Sequence, residues 1–148
     1  MDMENITFQL SDVPGNFVLC LNSECPLADR CLHQMVRRMV AADELVLHVY
    51  NPEVVRGGED CKYFRSGEPV RYAFGFEGMQ ENMLPKQYAM FRDTLIACFS
   101  RNRFFVRRRG EFPISPREQA YIRGVLEQVG ADPSLEFDRY EERINWND

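Results

Sequence analysis

Four cysteines are the residues of this chain best suited to specific chemistry. Three of them follow a C-x4-C-x5-C pattern, and the fourth comes after a gap of 29 residues. Zinc and iron–sulfur clusters both favour all-sulfur ligand sets, because soft thiolates bind these metals well. The spacing therefore predicts one metal site, with Cys20, Cys25, Cys31 and Cys61 as its ligands.

Zinc is the expected metal. Four thiolates would fill its tetrahedral shell and leave no position for water, so such a zinc would hold structure rather than catalyse a reaction. Three alternatives stay open. An iron–sulfur cluster could occupy the same cysteines, since the C-x4-C start with a distant fourth cysteine resembles plant-type ferredoxins. His33 could be the fourth ligand, although helical spacing puts it on a different face from Cys31. The cysteines could also simply pack as small hydrophobes.

The elements that position these cysteines follow from the pattern around them. Pro26 suits the first turn of a helix, and an apolar stripe at helical spacing continues to about Ala42. Cys20 and Cys25 would then lie on a loop, and Cys31 in the first turns of the helix. Gly57 and Gly58 mark a second loop just before Cys61. The sequence thus predicts a cysteine-rich knuckle that leads into a helix.

The second candidate feature is a run of arginines. Sixteen of the 18 basic residues are arginine, and five of them lie between positions 101 and 109 around Phe104 and Phe105. Arginines that contact phosphate and aromatic rings that stack on bases are typical of single-stranded nucleic-acid binding. The candidate binding face for nucleic acid or another anion is Arg103, Arg107, Arg108 and Arg109. Alternatively, these arginines pair with the acidic tail, and the protein is a protein–protein adaptor.

A conventional enzyme ranks last among the possible functions. A nucleophilic cysteine needs a base nearby, and His33 and His48 are the chain's only histidines. Gly57-Gly58 is not followed by the Lys-Ser/Thr pair of a phosphate-binding loop.

The remaining pattern predicts an α+β fold, with about three helices and a small mixed or antiparallel sheet. Strands are expected over 6–10, 45–50, 70–76 and 101–109. Besides the helix after Pro26, one helix is expected from Pro85, with Cys98 as a buried, inert thiol on its apolar face. Another is expected from Ser115 to Gly130, because Ser-Pro-Arg-Glu is a capping-box start.

Length and composition predict one domain over 1–148, since single domains commonly run about 100–200 residues. Its parts would be the cysteine cluster (20–61), a basic strand–helix segment (101–130) and an acidic tail (131–148) packed through its aromatic residues. No stretch approaches the roughly 18–20 apolar residues of a membrane span. The N-terminus has no signal-peptide pattern, and five cysteines, an odd number, suit a reducing compartment. The expected location is the cytoplasm.

Three segments together carry a resemblance to a known family: Leu19–Leu32, Cys61–Arg65 and Arg107–Pro116. They resemble an uncharacterised family of small four-cysteine proteins from gut Bacteroides-type bacteria. The resemblance covers most of the chain, including the tail pattern Phe137-Asp-x-Tyr140. It implies a bacterial cytosolic protein and carries over no catalytic residue.

Overall fold

A computed structural model describes residues 8–147 of the chain. These residues form two compact units. Unit 1 consists of residues 8–69 and 144–147, and unit 2 of residues 70–143. Each unit has its own cluster of buried hydrophobic side chains. The prediction of a single domain over 1–148 stays a prediction.

Unit 1 contains little regular secondary structure. It has a short 3-10 helix, Leu10–Asp12, and the helix α1, Leu32–Met39. Two isolated β-bridges connect its loops, a parallel one between Leu19 and Val49 and an antiparallel one between Cys31 and Ser66. Its buried cluster is small, comprising Phe8, Leu19, Leu32 and Val36. Loops held by isolated bridges therefore make up most of this unit.

Three sequence predictions for unit 1 need correction. The helix begins at Leu32 instead of Pro26, because Cys31 has an extended backbone and pairs with Ser66. Segment 45–50 is not a strand, since only Val49 within it forms a bridge. The strand predicted over 6–10 falls partly on residues outside the described part of the chain, and at Leu10 the structure has a 3-10 helix.

Unit 2 contains four helices and one sheet. The strands β1, Val70–Phe74, and β2, Arg139–Arg143, pair antiparallel. Ala73 lies opposite Tyr140 in this register. The helices, in chain order, are α2, Glu77–Gln80; α3, Pro85–Phe99; α4, Arg101–Arg108; and α5, Pro116–Gln128.

The core of unit 2 is the larger of the two buried clusters. It takes residues from every helix of the unit, from β1 and from Phe137 in the tail. Helices α3 and α5 begin as the sequence predicts, each with proline in its first turn. The Ser115 hydroxyl caps α5 by accepting a hydrogen bond from the Glu118 N–H. The α+β class is confirmed, with five α-helices within residues 8–147 where the pattern predicts about three.

Two predictions for unit 2 are wrong. Segment 101–109 is helical, not a strand. Ser100 has a positive φ of 78° that ends α3, and α4 follows directly. The buried residues of α4, Phe104 and Arg107, are three positions apart, which is the spacing of a helix face. Cys98, in the last turn of α3, is exposed instead of buried.

The described part of the chain contains no helix with the length and apolar character needed to cross a bilayer.

Candidate functional site

The four cysteines of the sequence pattern line one small cavity in unit 1. Cys31 is 9% exposed, and the other three are half-buried. The cavity measures about 20 Å³, which is the scale of a single water-sized occupant. The remaining wall includes His33, Gln34, Tyr50, Gly57 and Tyr63.

The two β-bridges bring these distant positions together. The bridge at Leu19, next to Cys20, ties the first cysteine segment to residues 48–50 through two backbone hydrogen bonds of 2.8 and 3.0 Å. The bridge between Cys31 and Ser66 ties the start of α1 to the segment that follows Cys61. The Leu32 N–H donates to the Arg65 carbonyl at 2.7 Å, and the Gly67 N–H donates to the Arg30 carbonyl at 3.0 Å. Long-range backbone pairing therefore closes the loop between Cys31 and Cys61.

Cys25 and Cys61 both lie where two tight turns meet. The Cys25 N–H donates to Asn22, and the Cys25 carbonyl accepts from Ala28, at 3.3 and 3.0 Å. The Cys61 N–H donates to Gly58, and the Cys61 carbonyl accepts from Phe64, at 3.1 and 3.2 Å. Each thiol thus projects from a hydrogen-bonded corner of the backbone.

Gly57 and Gly58 bring the second loop against Cys25. The Gly58 N–H points at the Cys25 sulfur, with a donor–sulfur distance of 3.4 Å. Gly57 has a φ of +76°, and a Cβ there would lie 2.8 Å from the Asn22 side-chain nitrogen and 3.0 Å from the Cys25 sulfur. Only glycine fits this close approach without strain. Backbone N–H groups that point at sulfur stabilise thiolate ligands of metal centres.

His33 lies on the cavity wall with the cysteines, in contrast to the prediction of a separate helix face. Cys31 precedes α1 with an extended backbone, so helical spacing does not relate the two side chains. The His33 ring stacks on Phe17 at a centroid distance of 4.8 Å. Burial lowers the pKa of His33, although its hydrogen bond with the Val18 carbonyl opposes this. The ring is therefore neutral at pH 7.

Tyr50 is a wall residue that the sequence did not suggest. Its ring meets His33 edge-on at 5.0 Å and lies 5.1 Å from the Tyr63 ring. Burial raises the pKa of Tyr50, although the nearby Arg65 opposes this shift. The position of Tyr50 in the short, β-branched segment 45–50 predicted a strand and gave no signal of a site.

The donor set of the cavity suits a soft metal, but the side chains are not arranged as a finished coordination sphere. Within residues 8–147, no three His, Cys, Asp or Glu side chains are placed to hold an ion. The four thiols nevertheless face one space, and cysteine has a single side-chain torsion that can redirect its sulfur. Zinc or an iron–sulfur cluster would need such rotation, and Cys20, Cys25, Cys31 and Cys61 would be its ligands.

Three of the four candidate arginines in unit 2 have carboxylate partners. Arg107 is 8% exposed, and its guanidinium makes hydrogen bonds of 2.9 and 3.3 Å with Glu118. Arg108 pairs with Glu77 at 3.4 Å, and Arg109 pairs with both oxygens of Glu111 at 2.9 and 3.1 Å. Arg103 is exposed. These arginines are thus largely engaged within the unit.

Their partners differ from the acidic tail that the sequence suggested. Glu77, Glu111 and Glu118 lie on or beside the helices of unit 2. The Arg107 guanidinium also lies between two aromatic rings, 4.9 Å from the Phe99 centroid and 4.5 Å from the Phe112 centroid. In the tail, Glu141 pairs instead with Arg139 and Arg143 of its own strand.

Comparison with curated proteins and with solved structures finds no match. One family model, described as a family of unknown function, matches residues 1–146. This match covers the cysteine cavity, α4 and the tail up to Trp146. The chain belongs to this family of unknown function, DUF6078.

Proposed function

We propose that the protein is a small binding module stabilised by zinc, with Cys20, Cys25, Cys31 and Cys61 as the four ligands. One observation carries the proposal: four cysteines, three from the segment 20–31 and one from the loop at Cys61, line a single cavity of about 20 Å³. Chance packing gives little reason for four of the chain's five cysteines to line one cavity. The exposed Cys98 on α3 is the fifth.

The weak core of unit 1 supports a structural role for the metal. Within residues 8–147, unit 1 buries eight hydrophobic residues, of which only four form a cluster, whereas the cluster of unit 2 has eleven members. A unit with so small a core commonly needs a disulfide, a metal or a partner to be stable. Zinc bound to four thiolates would connect the two turn corners, the start of α1 and the segment after Leu19. Such binding adds directly to the free energy of folding.

The resemblance and the cysteine usage suggest where such a module would work. A reducing cytosol keeps thiols available for metal binding. We place the protein in the cytoplasm of bacteria of the gut Bacteroides type. His33 is the alternative fourth ligand, because its neutral ring lies on the same cavity wall.

The experiment is metal analysis of protein purified without added metal. We expect one zinc per chain in the wild type and in the control variant Cys98→Ser. Serine at any of the four ligand positions should lower the zinc content. Iron with sulfide would instead identify an iron–sulfur cluster. Protein that binds no metal, even after refolding with zinc, would refute the proposal.

Metal removal gives a second readout in the same protein. Trp146 is the chain's single tryptophan, and it packs edge-on against Phe8 and Phe17 in unit 1 at 5.0 and 5.1 Å. Its fluorescence therefore reports on unit 1. We expect a chelator to shift this fluorescence and lower the urea midpoint, and zinc to restore both. A midpoint that does not respond to the chelator would contradict a structural role for the metal.

For the partner we propose a protein rather than a nucleic acid. Internal pairing of Arg107, Arg108 and Arg109 removes most of the charge that phosphate contacts would need. Unit 1 also exposes apolar side chains, with Leu45 96% and Val46 72% exposed. Contiguous exposed apolar surface marks protein contacts, and these two consecutive side chains would contribute to such a surface.

The test for nucleic acid is anisotropy of a labelled single strand over a range of salt concentrations. We expect no binding that depends on salt. A nucleic-acid partner would be favoured by two results together: binding that weakens as the salt concentration rises, and loss of that binding in the double variant Arg103→Ala/Arg109→Ala. In that case the control Arg92→Ala, on the exposed face of α3, should bind normally.

A further inference from the structure

The first turn of α1 holds the segment that carries Cys20. The His33 Nδ1–H donates to the Val18 carbonyl at 2.5 Å. The Cys20 N–H donates to the His33 carbonyl at 3.2 Å. The Gln34 side-chain Nε2–H donates to the Cys20 carbonyl at 2.6 Å. The backbone of Cys20 is therefore fixed at both its donor and its acceptor by two consecutive residues of α1.

Burial makes the Gln34 contact a strong constraint. Gln34 is 3% exposed, and a buried amide must find hydrogen-bond partners inside the protein. Removal of its donor would leave the Cys20 carbonyl without this partner, and the segment could then shift. The backbone N–H of Gln34 donates in turn to the carbonyl of Cys31 at 3.1 Å. One residue thus contacts the backbone of two candidate ligands.

The other two cysteines are held differently. Cys25 and Cys61 lie on loops whose contacts are the turns around Asn22 and Gly58. Their mutual approach depends on the two glycines of the second loop. The cavity therefore has one half fixed by a helix and another half formed by loops.

We infer that Gln34 is a positioning residue of the thiolate site, which keeps Cys20 in register with Cys31. The inference rests on the proposed metal function. The pair Cys20 and Cys31 is set before metal arrives, and the loops of Cys25 and Cys61 complete the shell. Residues that orient ligands in this way commonly change metal affinity by 10- to 100-fold when they are replaced.

The test is Gln34→Met, which keeps the length of the side chain and removes the donor. Zinc affinity is measured by competition with a chelating dye. We expect the dissociation constant to rise by about 10- to 100-fold while one zinc still binds per chain. Cobalt(II) as a probe should show weaker thiolate charge-transfer absorption per metal. If this variant does not fold, the same zinc-affinity and cobalt measurements are made on Gln34→Asn, whose side chain is one methylene shorter.

The matched control is Gln87→Met in unit 2. Its side-chain Nε2–H also donates to a backbone carbonyl, that of Gly130, at 3.0 Å. We expect it to lower stability without changing zinc affinity or the cobalt spectrum. If the wild type binds zinc and Gln34→Met binds it equally well, the role inferred for Gln34 is wrong but the proposed zinc site stands. If the wild type binds no zinc, the proposed function fails first.

Discussion

Replacement of Arg107 by alanine should destabilise unit 2, although a basic run in the sequence suggests a solvent-exposed binding side chain. The guanidinium makes two charge-assisted hydrogen bonds to Glu118 and one of 3.3 Å to the Arg103 carbonyl. It also lies between the rings of Phe99 and Phe112. Alanine removes all of these contacts.

The size of the effect depends on what happens to Glu118. Removal of one partner of a fully buried ion pair costs about 3–5 kcal/mol, because the other charge is left without compensation. The Arg107 side chain is 9% exposed, but that of Glu118 is 26% exposed. Water can therefore solvate part of the remaining carboxylate, and we expect a loss of about 2–3 kcal/mol. Arg107→Lys keeps the charge without the bidentate geometry and should lose less.

The assay is urea unfolding followed by far-UV circular dichroism. Four of the five α-helices in the described residues belong to unit 2, so this signal reports mainly on it. Arg103→Ala, an exposed neighbour on α4, should change the free energy of unfolding by less than about 0.5 kcal/mol. The reasoning is refuted if Arg107→Ala is as stable as the wild type, or if Arg103→Ala is equally destabilised.

Three further predictions concern single positions. Gly57→Ala should lower the free energy of unfolding by about 1–2 kcal/mol, because alanine is strained at the positive φ of this position, and should weaken zinc binding. Trp146 fluorescence reads both effects, and an equal loss for Gly15→Ala, where a Cβ meets open space, would contradict the prediction. Asp138→Ala should cost about 1–2 kcal/mol in thermal unfolding, because its carboxylate accepts the first two N–H groups of α2 at 2.9 and 3.0 Å; an unchanged midpoint would exclude this cap. Burial raises the pKa of Tyr140 above its usual value, so the stability that its neutral hydroxyl contributes is present below about pH 10 and is lost as the pH rises further. Tyr140→Phe should flatten the fall in the free energy of unfolding above that pH, and parallel stability curves for the variant and the wild type would contradict the assignment.

Local features of the sequence were enough to predict several elements. Ser115 followed by proline and Glu118 contains its own capping hydrogen bond, so the start of α5 could be predicted without knowledge of its neighbours. The alternation from Val70 onwards likewise predicted β1. The α+β class follows from these elements. The set of four cysteines also came from spacing and residue type alone.

Other features depend on contacts between distant segments. The run 101–109 has β-forming residues at its centre, yet it is helical because Phe104 and Arg107 are buried on one helix face against the rest of unit 2. Propensity is a weak prior that such packing overrides. The exposure of Cys98 was missed for a related reason, since burial near a helix end depends on what packs there.

The sequence by itself therefore determined which residues could bind a metal and where α3, α5 and β1 begin. Only the tertiary structure decided that the bridges at Leu19 and Cys31 bring four thiols to one cavity, with His33 beside them. It also decided that Arg107, Arg108 and Arg109, three of the four candidate arginines, have carboxylate partners. The physical reason is that capping and alternation act within a few residues. Loop closure and ion pairing instead depend on which distant segments come into contact on folding.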